Sequence, residues 1–437
     1  MNRLLEVKEF DRITCDPRFK DSKTEYKYLP KQDFLELKGF IQSFESAESQ
    51  ADALEFSKIG FHRDVGEILT INNYVGLIQM QNGFQIQVLP KVDFGEGRDK
   101  GSAETKKVFL RMLRSMKDFP SKVFKDANLR MDKMPLYEIF INMFLQETRE
   151  LVKRGIKSAY VSREDNLNVY KGKLLVNEHI KKNTAHSERF YVCYDEYLVN
   201  RAENRLIKTT LQKLQNLSNS AENQKEIRQL LTAFELVDPS LNYEKDFSQV
   251  VIDRNTKDYD MLMHWSKVFL MNKSFTTFSG DHHARALLFP MEKVFEAYVA
   301  QELKKNLGDL RWTVATQAKQ YYLFDNPQRF RLQPDIVITR DDESQVILDT
   351  KWKRLINDPR KNYGISQADM YQMYAYSKKY HSSEIWLLYP MDKETKGLDR
   401  ISFQSKDDVH VNVFFIDVAK IEASLEELRG RLMNRES

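Results

Sequence analysis

Cysteine is nearly absent from this chain: Cys15 and Cys193 are the two in 437 residues. Two thiols cannot build a disulfide framework or a zinc ribbon. Glycine and proline are scarce as well, at 15 and 11 residues, which excludes collagen-like and linker-rich chains. No stretch approaches the roughly 20 consecutive apolar residues of a membrane span. The opening MNRLLEVKEFDRITC lacks the apolar core of a signal peptide. The expectation is a cytoplasmic protein with no membrane partner. Neither sign of charge dominates, because 68 Lys+Arg against 64 Asp+Glu leave a net +4. That balance is too mild to argue nucleic-acid binding from charge alone. No segment fits G-x-x-x-x-G-K-[ST], so the chain is not expected to hydrolyse nucleotide itself.

What is present suits sizeable cores. Hydrophobic residues make up 41% and aromatics 12%, which excludes global disorder. At roughly 150 residues per domain the length allows two or three domains.

The first ninety residues read as β-rich. Residues 68–80 and 84–89 are apolar or alternating, with Gln81-Asn82-Gly83 between them. Asn-Gly in that position predicts a hairpin, since both residues tolerate φ > 0. DFGEGRDKGSAETKK, after Pro90, reads as an exposed loop. Helices are predicted over residues 108–116 and, after Pro135, over a long periodic run that stops at Gly155. Strands are expected at 169–176 and 189–194, and helices at 197–217, 221–236 and 258–271. The last 150 residues read as a helix (291–306), strands at 312–324, 330–339 and 345–352, a helix (366–380), and a strand (384–389). Strands at 400–404 and 409–418 and a closing helix complete them. That order predicts an α/β domain around a mixed central sheet.

RLQPDIVITRDDESQVILDTKWKRL, residues 331–355, is the most informative stretch. DDES is a polar turn between two apolar runs, so its flanks should form a hairpin. A turn centred near 342 and 343 sets position 335 opposite about 350, which brings Asp335 and Asp349 to the same end of neighbouring strands. Lys351 lies two residues beyond Asp349 and shares its facing. Burying unpaired charges beside Val346-Ile347-Leu348 would cost several kcal/mol, so these groups should serve one another or a metal. Oxygen ligands without nearby Cys or His favour Mg²⁺, with Mn²⁺ as a substitute. Two carboxylates, a hard cation and a lysine suit phosphodiester hydrolysis. A charged β-hairpin would produce the same spacing with no such role. Glu296, close to the apolar face of the helix MEKVFEAYVAQEL, could add a third carboxylate or be a solvated glutamate. Gln372 and Tyr376, one helical turn apart and downstream of Asp369, could face the same site. Gln372 is a candidate for a metal-bound water or a phosphate, or is a half-buried amide.

The pieces FPMEKVFEAYV, QPDIVI, ILDTKWK, DMYQMYAY and WLLYP resemble the PD-(D/E)xK nuclease domain of the McrC family. Members of that family are cleavage subunits of GTP-dependent, modified-cytosine restriction systems. PLYEIFINMFLQETRELVKRG, VYKGKLL and CYDEYLVNRAENRLIKTTL are similar to the family's middle region, so the resemblance covers most of residues 130–395. It departs at Pro290, where a polar residue is expected. The resemblance implies that Asp335, Asp349 and Lys351 are catalytic, joined by Glu296 and Gln372, with Asp335, Asp349 and Glu296 on Mg²⁺. It further implies a separate AAA+ GTPase hexamer that recognises and translocates double-stranded DNA with modified cytosine. By the same resemblance the N-terminal region is expected to dock on that hexamer, and two copies of the chain could pair at cleavage.

The expected layout is therefore α+β and multidomain. Residues 1–95 form a β-rich docking domain, 105–275 a mixed middle region facing the GTPase, and 280–437 a PD-(D/E)xK endonuclease-like α/β domain. A non-catalytic GTPase adaptor on a retired nuclease fold and a stand-alone repair nuclease are the competing readings. Lesser candidates accompany a bland reading each. The basic edge of Lys171, Lys173, Asn200, Arg201, Asn204, Arg205 and Lys208 could touch the partner or DNA phosphates, or be a solvated face. His282-His283 lack a third zinc ligand at a plausible spacing. Tyr371, Tyr374, Tyr376 and Tyr380 suit base stacking or helix-to-sheet packing, and Cys193 reads as a small buried hydrophobe.

Overall fold

A computed structural model describes residues 4–20, 25–47, 57–80, 82–92, 98–116, 134–271, 284–398 and 400–434. The chain divides into two compact units. One comprises Met1–Phe119, Leu129–Leu136 and Ser274–Ser437, the other Pro120–Asn128 and Tyr137–Lys273. His282 and His283 lie outside the described residues.

In the first unit, Leu4–Lys8, Gln85–Leu89, Tyr74–Met80 and Ala284–Pro290 form one sheet in that spatial order. The expected hairpin is there, with Tyr74–Met80 antiparallel to Gln85–Leu89 and Gly83 at φ +82° in the turn. The single apolar run predicted over 68–80 is two strands. Asn73 adopts φ +52°, and the break sends Gly66–Ile71 into a different sheet with Arg12–Thr14, Tyr26–Tyr28 and Ser57–His62. Helix Lys31–Ala47 covers this region, burying Phe34, Leu37, Phe40 and Ile41. The segment read as an exposed loop after Pro90 becomes helix from Arg98 to Leu113. Thr105 and Lys106 are buried there, a use of polar residues that composition does not reveal.

Strand Ala284–Pro290 was not expected. It lies antiparallel to Tyr74–Met80, with Leu287 opposite Leu77 and Leu288 opposite Gly76. Gly76 sits at φ +141°, where an added Cβ would fall 2.0 Å from the Leu287 carbonyl oxygen. Only glycine lets the two backbones approach this closely.

The C-terminal part is built on a six-stranded mixed sheet in the order Thr313–Thr316, Ile336–Thr339, Gln345–Thr350, Glu384–Pro390, His410–Ile416, Ile401–Gln404. Gln345–Thr350, Glu384–Pro390 and His410–Ile416 run parallel, and the outer pairings are antiparallel. Side-chain alternation gives each central strand two apolar faces. Val337, Ile347, Ile385 and Leu387 share a core with Met373, Tyr376 and Tyr380 of helix Gln367–Tyr380. Helix Met291–Asn306 packs against strand Gln345–Thr350, and helix Ile421–Met433 against His410–Ile416. The run predicted over 312–324 divides at Gln317, which takes φ +52°. Its second half, Tyr322–Asp325, pairs with Gln328–Arg331 as a separate two-stranded ribbon, so the strand read at 330–339 is also two pieces, interrupted at Gln333-Pro334.

In the second unit, helix Leu136–Arg154 ends at Gly155, φ +88°, as the sequence predicts. Phe140 and Phe144 of this helix meet Trp265 and Phe269 of helix Lys257–Met271, with ring centroids 6.0 and 5.9 Å apart. The strand expected at 169–176 shrinks to Lys173–Leu174, followed by an unpredicted helix, Val176–Asn183. Ala159–Leu167, for which the sequence pattern predicts no element, is a strand paired along its length with Phe190–Leu198. Helix Ala202–Leu217 starts later than expected because Tyr197 and Leu198 belong to that strand.

Candidate active site

The site grows from one hairpin. Ile336 pairs with Leu348 and Thr339 with Gln345, so position 335 falls opposite 349, one residue off the expected register. Directly opposed residues share a sheet face, so the two carboxylates still converge. Thr350 supplies the lock, donating to Asp335 Oδ2 through its backbone N–H at 2.8 Å and its hydroxyl at 2.7 Å. Asp349 is 1% exposed, and its Oδ2 lies 2.6 Å from Lys351 Nζ. That ion pair is the charged partner of a carboxylate otherwise removed from water.

Lys351 extends the strand by donating its backbone N–H to Leu388 O at 2.9 Å, which fixes where the ammonium emerges. Nζ donates to Gln372 Oε1 at 3.2 Å, and Gln372 Nε2 donates to the Tyr376 hydroxyl at 2.7 Å. Both come from helix Gln367–Tyr380, whose cap Ser366 accepts from the Asp369 N–H. Asp369 in turn pairs with Lys353 at 2.9 Å and approaches Lys351 at 4.0 Å. On the other side, Glu296 is half-buried and accepts a hydrogen bond from Gln317 Nε2. Gln317 is held by its own N–H, which donates to Asp335 O at 2.9 Å.

The electrostatics follow from crowding negative charge out of water. Burial, then Glu296, push Asp335 up to about 6. Burial, then Asp335, push Asp349 up to about 7. Glu296 is raised by burial and by Asp349. Burial alone would lower Lys351, yet the attraction of Asp349 and the other carboxylates outweighs it and raises it. The Tyr389 hydroxyl, buried with no hydrogen-bond partner among the described residues, is also raised by burial and by Asp369 and Asp349.

All five residues singled out by sequence are thus brought into one interacting group. As the side chains stand, no three His, Cys, Asp or Glu among the described residues are grouped so as to hold a metal ion; Gln317 engages Glu296 and Lys351 engages Asp349. The donor chemistry nevertheless suits a hard divalent cation: the ligands are oxygens, and the carboxylates of Asp335, Asp349 and Glu296 raise one another's pKa, a repulsion that a cation between them would relieve. Thr350, Gln317, Lys353 and Tyr389 were missed. Strand alternation alone turns Thr350 to the face opposite Asp349, so its bonds to Asp335, which precedes the neighbouring strand, could not be read from the pattern.

The lesser candidates are mostly spent within the second unit. Arg201 pairs with Glu203 at 2.6 Å and Arg205 with Asp246 at 2.5 Å. Asn200 binds Asp238, and Asn204 binds the Lys157 and Val199 carbonyls. Lys208 donates to the Val237 carbonyl, and Lys171 stacks over Tyr194. Cys193 is half-buried, not enclosed, with its sulfur 3.0 Å from Ser162 Oγ. Tyr376 and Tyr380 are core residues, whereas Tyr371 and Tyr374 are exposed.

The model of the McrBC 5-methylcytosine restriction system component family matches residues 69–390. The chain belongs to that family. Its fold is similar to a chain in the refined half-complex from the tetradecameric assembly of Thermococcus gammatolerans McrB AAA+ hexamers with bound McrC. There the TM-score is 0.70 at 19% identity, covering 98% of this chain and 100% of that one. The cryo-EM structure of the Thermococcus gammatolerans McrBC complex matches at TM-score 0.48 and 22% identity, over 70% of this chain and 89% of that one. A search of curated proteins finds no match. Among the described residues no helix is long and apolar enough to cross a membrane.

Proposed function

We propose that this McrBC family member is the Mg²⁺-dependent DNA endonuclease subunit of its restriction system. The observation that carries the reading is the convergence of Asp335, Asp349 and Lys351, with Glu296 and Gln372 at their sides. Asp335 and Asp349, with Glu296 released from Gln317, would hold the cation. Mg²⁺, when bound, polarises a phosphate and lowers the pKa of a coordinated water. Lys351 carries its positive charge to the carboxylate cluster, where it stabilises negative charge developing on a phosphate. Gln372, steadied by Tyr376, aims its amide at the same place. Thr350 keeps Asp335 turned inward, and Asp369 keeps Lys353 beside the site.

Residues 280–437 are assigned to catalysis, and residues 1–95 and 105–275 to engagement of an AAA+ GTPase. The named assembly of McrB AAA+ hexamers with bound McrC supports a partner of that kind, which would recognise modified-cytosine DNA. The test is cleavage of modified-cytosine plasmid by the full chain with its AAA+ partner, Mg²⁺ and GTP. Asp349→Ala should abolish cleavage and leave GTPase stimulation intact. GTP hydrolysis without cleavage by the wild-type chain, across several modified substrates, would replace the nuclease reading with that of an adaptor.

A further inference from the structure

The ribbon Tyr322–Asp325 and Gln328–Arg331 stands apart from every sheet, paired only with itself among the described residues. A lone two-stranded ribbon is marginally stable in water, and this one exposes its largest apolar groups. Phe324 is 57% and Phe330 71% exposed, with ring centroids 5.9 Å apart. Phe330 adopts φ +56°, a conformation uncommon for a bulky residue and one that functional elements tolerate. The ribbon is nonetheless held firmly at its base. Lys379 pairs with Asp325 at 2.6 Å, Tyr321 packs edge-on against Tyr380 at 4.7 Å, and Leu332 N–H donates to Tyr321 O at 2.9 Å. Arg331 donates to the Lys319 carbonyl and lies over the Tyr322 ring.

Its charge is cationic. Lys319, Arg329 and Arg331 lie on or beside it, and its acidic residue Asp325 is neutralised by Lys379. Its position is equally telling: strand Gln328–Arg331 reaches Asp335 through only Leu332, Gln333 and Pro334, and the helix that anchors it carries Gln372. A basic ribbon with exposed aromatic tips, a few residues from the candidate metal ligands, complements a polyanion with apolar base edges. A DNA groove admits a two-stranded ribbon, and apolar wedges inserted at base steps are a known mode of contact.

We infer that the ribbon is a duplex-DNA contact, in which Arg329 meets phosphate and Phe324 and Phe330 press on the bases, setting the scissile strand over Asp335. The inference rests on the nuclease reading for its purpose, but the ribbon's contact with DNA is measured without cleavage. Binding of the full chain to duplex DNA in chelator, over a salt series, is compared for wild type, Arg329→Ala and Phe330→Ala. Arg329→Ala should weaken binding about tenfold and flatten the log–log salt slope by about one. Phe330→Ala should weaken it by a similar factor and leave the slope unchanged. A photo-cross-linking residue at position 330 of an otherwise unaltered chain should label DNA, whatever Phe330→Ala does to folding. Wild-type affinity in both variants, no labelling from position 330, or no duplex binding by the wild-type chain would overturn the inference, as would variants that lose only a protein partner. Binding by wild type without cleavage under any condition would sink the nuclease reading alone. Cleavage with unchanged ribbon variants would sink the ribbon alone.

Discussion

Thr350 grips Asp335 twice, with its amide at 2.8 Å and its hydroxyl at 2.7 Å on the same carboxylate oxygen. One residue of the second strand thereby fixes the rotamer of an aspartate that precedes the first. Thr350→Val keeps the shape and the amide bond but deletes the hydroxyl. The variant should lose about 1 kcal/mol of stability and about tenfold in single-turnover cleavage. Unchanged cleavage would mean that the amide suffices to orient Asp335.

Asp349 gives the metal-free protein a particular pH profile. Burial and Asp335 raise its pKa from 3.8 to about 7, so between those values the native state keeps a proton that the unfolded chain has released. By linkage this group's contribution to stability declines as pH rises from about 4 to about 7, then levels off. Asp349→Asn removes that decline. In chelator the variant should melt above wild type at pH 8, with the gap closing towards pH 4. Mg²⁺ at pH 8 should raise the wild-type midpoint and leave the variant unmoved. The opposite ordering at pH 8 would show that the ion pair with Lys351 outweighs carboxylate repulsion.

Lys351 is worth more to Asp349 than to the sheet. Lys351→Ala should reduce cleavage by at least a hundredfold and cost about 3 kcal/mol, because it strands a buried carboxylate. In Asp349→Asn the same change should cost far less. Additive losses in a double-mutant cycle on thermal stability would dissolve the proposed coupling.

The close strand crossing at Gly76 offers a purely structural check. Gly76→Ala forces a methyl group to within 2.0 Å of a backbone oxygen at φ +141° and should cost about 3 kcal/mol or more. Gly60→Ala, whose Cβ would meet nothing within 4 Å, is the control. Equal melting midpoints would mean that the sheet can spread at Gly76 without penalty.

The convergence of the candidate site's side chains is more legible in the sequence than the fold around it. Asp335, Asp349 and Lys351 were legible because a polar turn between two apolar runs defines a hairpin, and strand alternation does the rest. Helix Met291–Asn306 could be bounded to the residue from its periodicity. Left-handed turns at Asn73 and Gln317 are not legible, since neither residue is glycine and both sit inside runs whose pattern predicts continuous strands. Helix Val176–Asn183 was hidden for a different reason: six of its eight residues are polar, leaving little periodicity to find. Strand Ala284–Pro290 is not legible because its partner, Tyr74–Met80, lies more than two hundred positions earlier.

That long-range pairing bears on how the molecule can be divided. The Trp352 indole donates to Glu9, whose carboxylate also accepts the Lys91 N–H, and Lys91 Nζ donates to the Trp352 carbonyl at 2.8 Å. A fragment cut at residue 280 would leave Trp352 without these companions. It would also carry Ala284–Pro290 as an orphan ribbon of backbone donors and acceptors with an apolar sequence, and such edges recruit one another into aggregates. The first and last parts of the chain should therefore be expressed together, and evolution is expected to have exchanged them as one piece.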